Sequence, residues 1–311
     1  MSTAYPVNYI PNIIYIIASI PSFPLNIAIM SIIIWKRRYN EKYRTTFYNI
    51  VISLGLADTL AMLQTCLIQV PRTLYIFTEF YWSNRKWIAS LSYNISLFSV
   101  GLRCFGATLL AFQRYIIVCW GSHYRYKFLL NLPLSVVLVI HWIPPNIVAL
   151  PVTMNWNKTF GGSNDMRLVL SIDQSNFSLM LQGVTVAVLF CICIFPYSQI
   201  FRTLWDIKRT HNKNIGRELR LSIIPLGQSV CFLGMVFSYT TPLVDAFKQY
   251  TVLFNGILSY WNPWIYLFLN TDIQNEFKRL FLKSYPNHSS VSQIRNISTQ
   301  PSRIFPSQPL Y

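Results

Sequence analysis

The chain has 311 residues, of which 53% are hydrophobic and only 12% charged, about half the charged share of an ordinary soluble domain. So long and so apolar a chain cannot cover its surface in one water-soluble core, and the bilayer is the solvent that fits it. The formal charge of +16 does not point to nucleic acid, because the basic residues fall almost wholly between apolar blocks, the pattern of membrane orientation.

A bilayer core about 30 Å thick takes about 20 apolar residues as a helix. Seven such blocks follow one another, at about 10–35, 47–70, 87–120, 128–150, 177–201, 221–244 and 250–271. The expected fold is therefore all-α, a bundle of seven transmembrane helices. The first block is uncharged, the second carries only Asp58, the third carries Arg103 and Arg114, and the last four carry no charge. Prolines at 21, 24, 144, 145, 196, 225 and 263 are tolerable in lipid, where neighbouring helices re-satisfy the freed carbonyls. Residues 272–282 read as a short amphipathic helix, with Ile273, Phe277, Leu280 and Phe281 on one face and Lys278, Arg279 and Lys283 near headgroup level. Residues 1–283 then form one membrane domain. The Ser-, Pro- and Gln-rich segment 284–311 reads as a disordered tail.

Orientation follows from the Lys and Arg count between the blocks. Nineteen fall on the side of the 36–44, 114–127 and 202–220 segments and the tail, and six fall on the other, with Arg103 inside its span. The excess marks the cytoplasmic side, so the N-terminus is expected outside and the C-terminus inside. Sequons at Asn157 and Asn176 fall on the expected outer face and are the expected glycosylation sites. Those at Asn94, Asn287 and Asn296 fall within a span or inside. All six cysteines lie within apolar blocks, so no disulfide framework is expected across the outer loops, and Trp156 and Phe160 would hold the 151–176 loop by packing. Cys191 and Cys193 point roughly 200° apart on a helix and cannot chelate alone.

Three patterns carry the functional reading: Leu56-Ala57-Asp58 in the second block, Gln113-Arg114-Tyr115 closing the third, and Asn262-Pro263-Trp264-Ile265-Tyr266 closing the seventh. Together, in this order and on these blocks, the chain resembles the rhodopsin-like G-protein-coupled receptors over all seven spans. Asn26, Trp142 and Pro196 also match that family's markers in spans one, four and five. It departs from the pattern at Gln113, where the family keeps an acid, in the sixth span's missing Cys-Trp-x-Pro, and in the missing cysteine that usually opens span three. That mixture resembles the nematode-type serpentine chemoreceptors, the class v group or a close relative.

The resemblance implies a plasma-membrane receptor, sensory cilia included, that converts binding of an external small molecule or peptide into heterotrimeric G-protein activation. Arg114, Tyr115, Asn262, Pro263 and Tyr266 would form its switch. Glu218 is the candidate partner for Arg114 in place of the missing acid. Asn26, Asp58 and Arg103 form the expected buried polar core, with Asp58 and Arg103 paired at matching depth. Tyr93, Asn94, Gln182, Tyr239 and Phe254 are the candidate ligand contacts. Arrestin on the Ser-rich tail and membrane lipid complete the expected partners; no nucleic acid, cofactor or metal is expected.

Plainer readings stand beside each of these. Arg114 can snorkel to phosphates, Pro263 can be an ordinary transmembrane proline, the outer aromatic and amide residues can be packing residues, and His141 beside Trp142 reads as a hydrogen-bonding core residue. A neuropeptide or small-transmitter receptor of the same fold is the alternative function. A transporter would show paired repeats and several midplane carboxylates, and an enzyme would need converging His, Asp or Glu. The sequence offers neither, and it is not read as an enzyme.

Overall fold

The computed structural model describes residues 10–120, 127–154, 158–162, 165–169, 172–211, 227, 234 and 251–281. It is a helical bundle. The main helices are α1 (Ile10–Lys36), α2 (Thr46–Gln64), α3 (Arg85–Trp120), α4 (Leu134–Thr153), α5 (Ile172–His211), α6 (Thr251–Leu269) and α7 (Thr271–Phe281). Helix α6 is the seventh apolar block of the sequence and α7 the amphipathic segment after it. The sixth block, 221–244, lies outside the described residues apart from Gly227 and Gly234. Among the described residues, five helices are long and apolar enough to cross a membrane: Asn12–Lys36, Thr46–Thr73, Arg85–Trp120, Leu134–Thr153 and Met180–Ile207.

Helix α3 is the axis of the bundle, packing on α2, α4 and α5, while α1 packs on α2 and α6. Residues such as Ile13, Ile17, Ile143, Ile147, Val184 and Val188 face outward. Such a surface suits lipid and would be a liability in water.

Helix α2 loosens into one π turn at Thr65–Gln69 before continuing as Val70–Thr73. Pro71 explains the irregularity, since it has no N–H to give the carbonyl of Leu67. That carbonyl instead accepts from the Tyr81 hydroxyl at 2.7 Å. Helices α3 and α5 overrun their apolar blocks, α5 by about ten residues at its C-terminal end. Hydropathy reads the change of solvent and not the end of the hydrogen-bond ladder, which propagates easily once formed.

The 151–176 region adds a feature that the periodicity of the sequence did not suggest. Strands β1 (Thr159–Gly162) and β2 (Asp165–Val169) pair antiparallel, with Phe160 opposite Leu168 and an irregularity between Phe160 and Gly162. Phe160 and Met166 bury against Tyr81, Ile88 and Ala89, and the Arg72 guanidinium stacks 5.2 Å above the Phe160 ring. Trp156 lies outside the described residues.

At the opposite end, Asn270 caps α7, its side-chain oxygen accepting from the backbone N–H of Asp272 at 3.1 Å. Lys36 pairs with Glu276 at 2.7 Å, and Lys42 with Asp272 at 2.6 Å. The amphipathic helix is thus fastened to the first span and to the turn that follows it.

Candidate functional site

A polar layer runs through the middle of the bundle. Asn26 on α1 donates to the Gly55 carbonyl at 2.9 Å and to Thr59 Oγ1 at 3.0 Å, which fixes α1 against α2. Asp58 is fully buried on α2 and accepts from Asn262 Nδ2 at 2.6 Å, while its other oxygen has no hydrogen bond among the described residues. Arg103, 1% exposed, donates from Nε to the Ser99 carbonyl at 3.0 Å and from Nη1 to Ser259 Oγ at 2.8 Å.

The expected ion pair between Asp58 and Arg103 is not formed. Each charge instead reaches α6, Arg103 at Ser259 and Asp58 at Asn262, one helical turn apart, close enough to act on one another through space. Side-chain direction supplies the reason. Helical side chains lean toward the N-terminus of their own helix, and α2 and α3 run in opposite directions. Equal depths at Cα therefore become unequal depths at the charged groups.

Pro263 lies between these contacts and the end of α6. Lacking an N–H, it offers no helical donor to the Ser259 carbonyl, so one rung of the otherwise continuous helix is missing beside the Arg103 contact. Tyr266, one turn further on, is buried, and its hydroxyl has no hydrogen bond among the described residues. It sits within electrostatic reach of Asp58 and Arg114.

Arg114 is 4% exposed, its guanidinium 4.0 Å above the Phe47 ring. It is buried among the helices and does not snorkel outward. Gln113 beside it is also buried, with its carbonyl oxygen unpartnered among the described residues. Tyr115 faces α5, packing near Tyr197 and Ile200 and accepting from Trp120 Nε1 at 3.1 Å. Glu218, Tyr239 and Asn157 lie outside the described residues. Asn176 and Phe254 fall on α5 and α6, but their side chains are likewise outside the description.

At the hairpin end, Tyr93 and Asn94 come together around a residue that the sequence did not single out. Lys158 is 2% exposed, its ammonium donating to Asn94 Oδ1 at 2.6 Å and to the Val152 carbonyl at 3.0 Å, with the Tyr93 ring 4.5 Å below. Burial alone pushes its pKa down to about 8. The Tyr93 hydroxyl shares a hydrogen bond with Ser178 on α5. One lysine thus ties the hairpin to spans three and four.

Below this cluster, a cavity of about 300 Å³ opens between α3, α4 and α5. Gln182 lies on its wall, while Tyr93 packs on Leu97, Ala149 and Leu181 at its upper edge. The structure therefore brings Tyr93, Asn94 and Gln182 to one end of the bundle.

His141 is a buried hydrogen-bonding residue, as its place beside Trp142 suggested. Its Nε2 donates to the Leu102 carbonyl at 2.7 Å and its Nδ1 accepts from Ser53 at 2.6 Å, while Ser53 accepts from Trp142 Nε1 at 3.0 Å. This neutral network ties α2, α3 and α4. Among the described residues, no cluster of His, Cys, Asp or Glu could hold a metal ion.

No curated protein matches the chain. The profile of the family described as "Serpentine type 7TM GPCR chemoreceptor Srv" matches residues 15–282, spanning the helical bundle from α1 to the end of α7. The chain belongs to that family of serpentine, seven-transmembrane chemoreceptors.

Proposed function

We propose that the protein is a ligand-activated chemosensory receptor that couples to a heterotrimeric G protein. The hairpin end faces the exterior and the Arg114 end the cytoplasm, a reading supported by the excess of basic residues on the Arg114 side. The plasma membrane, sensory cilia included, is its site, and Asn157 and Asn176 carry its glycans. The observation that carries the reading is helix α6, which meets both buried charges in its middle, carries Pro263 beside those contacts and holds Tyr266 within electrostatic reach of Arg114.

A ligand that biases the position of α6 against α2 and α3 shifts these contacts and opens the face around Arg114 to the G protein. Tyr115 on α5 and Pro263 on α6 take part in the rearrangement, and Glu218 restrains Arg114 in the resting form. The Ser-rich tail recruits arrestin.

The test is expression in cells that carry promiscuous Gα subunits, with calcium and cAMP readouts against a panel of volatile and water-soluble odorants. At least one compound should raise the signal in a dose-dependent way, and Arg114→Ala should abolish that response. A receptor at the cell surface that gives no response above vector-only cells across the panel would sink the reading.

A further inference from the structure

We propose that the cleft between α3, α4 and α5 is the binding site for a small, largely apolar ligand with one hydrogen-bonding group, which arrives sideways from the bilayer. This rests on the receptor reading and names the site and ligand class for it. Helices α4 and α5 both pack on α3, and the space between them is the cavity of about 300 Å³, at the small end of ligand pockets, which span about 300–1,000 Å³. Its floor is α3 at Gly101 and Phe105, and its α4 wall is Pro144 and Pro145. At the mouth, Val148, Val184 and Val188 are 39%, 52% and 51% exposed and face the lipid.

The lining fixes the chemistry of the occupant. No charged side chain lines the cleft, and among the described residues Gln182 and Thr185, three apart on one face of α5, are its polar side chains. The Gln182 amide makes no hydrogen bond among the described residues. Gln182 stands near the outer end of the span Met180–Ile207, and a bare acyl chain in the cleft would offer its amide no partner. A neutral amphiphile with a single hydroxyl or carbonyl satisfies it while its apolar body fills the space down to Phe105.

The cleft is also joined to the polar layer. Val100 and Val186 line it and belong to one packed cluster with Cys104, Ala107 and Leu258 of α6. Leu258 adjoins Ser259, which accepts from Arg103. A ligand that spreads α3 from α5 therefore presses on the segment of α6 that holds the buried arginine.

Photolabelling of the full-length receptor in lipid vesicles, with a diazirine-bearing octanol as the probe, tests the site without any G protein. Labelling should saturate on peptides covering 97–105, 144–149 and 181–189 and be competed by unlabelled 1-octanol. Val148→Trp at the mouth and Ala149→Phe inside should each lower it about ten-fold. Gln182→Leu should weaken competition by octanol but not by octane. The wild-type competition curve keeps the test decisive if a variant fails to fold. Labelling that rises linearly with probe and equals that on the lipid-facing residues Ile13 and Ile17 would be bulk partitioning, and the site would be withdrawn. Because signalling is not the readout, failure here leaves the receptor reading intact, and loss of that reading leaves the labelling intact.

Discussion

Arg103 and Asp58 do not touch: they grip the same helix one turn apart, Arg103 at Ser259 and Asp58 at Asn262. Helix α6 is therefore the shared partner of both buried charges, which also act on one another through space. Asn262→Ala would leave Asp58 without its hydrogen bond, and a hydrogen bond to a charged group contributes about 1.5–3 kcal/mol. Thermal unfolding of the purified receptor should show that loss. Ser259→Ala should cost less, about 1 kcal/mol, because Arg103 keeps the Ser99 carbonyl. If Asn262→Ala melts with the wild type, Asp58 is not held as described.

The order of apolar blocks, the membrane class and the amphipathic helix were legible because hydrophobic periodicity reports the solvent around each segment. Asn26, Asp58 and Arg103 were legible as buried polar residues, because polar groups and charges inside apolar blocks must be accommodated there. Their partners were not. Depth counted along two antiparallel helices ignores that the side chains lean in opposite directions, so Arg103 met Ser259 and missed Asp58. Lys158 was likewise hidden, since its acceptors are an asparagine 64 residues away and a main-chain carbonyl, neither of which has a sequence signature. The hairpin escaped a search for helical spans because its strands are only four and five residues long.

Glycines on α3 should differ sharply in tolerance. A Cβ at Gly106 would lie 2.7 Å from His141 Nε2 and 2.8 Å from Leu54 Cδ1, and His141 is held at both nitrogens and cannot withdraw. Gly106→Ala should therefore destabilise the bundle by about 1–3 kcal/mol. At Gly101 the added carbon would meet only Pro145 Cβ at 3.3 Å, so Gly101→Ala should express nearly as wild type. Surface expression of the two variants side by side checks this, and equal expression would refute the close packing at Gly106.

The cap of α7 is a separate unit. Asn270→Ala removes the acceptor for the N–H groups of Asp272 and Ile273, and loss of an N-cap typically costs about 1 kcal/mol. Amide exchange across 271–281 should quicken by about five-fold, while Asn270→Asp should preserve protection. Unchanged exchange in the alanine variant would mean that the ion pairs of Lys36 and Lys42 hold the helix alone.

The Lys158 clamp predicts an unusual dependence on pH. Burial lowers the pKa of this amine from 10.5 to about 8. Its neighbours are the Tyr93 ring, the Asn94 amide and the Val152 carbonyl, all uncharged in this range. A detached Lys158 regains the ordinary value, so between about 8 and 10.5 the detached form binds more protons than the docked one. Docking must then strengthen as pH rises through that window, and the desolvation penalty is fully present below it. The neutral amine still donates to Asn94 and to Val152, so the hydrogen bonds survive the loss of charge. Protection of the amides in 159–169, corrected for the intrinsic exchange rate, should rise from pH 7.5 to pH 9.5. Lys158→Met should lower protection at both values and flatten the trend. Protection that falls with pH in the wild type would show that the ammonium is held by a charge, and the clamp as described would be wrong.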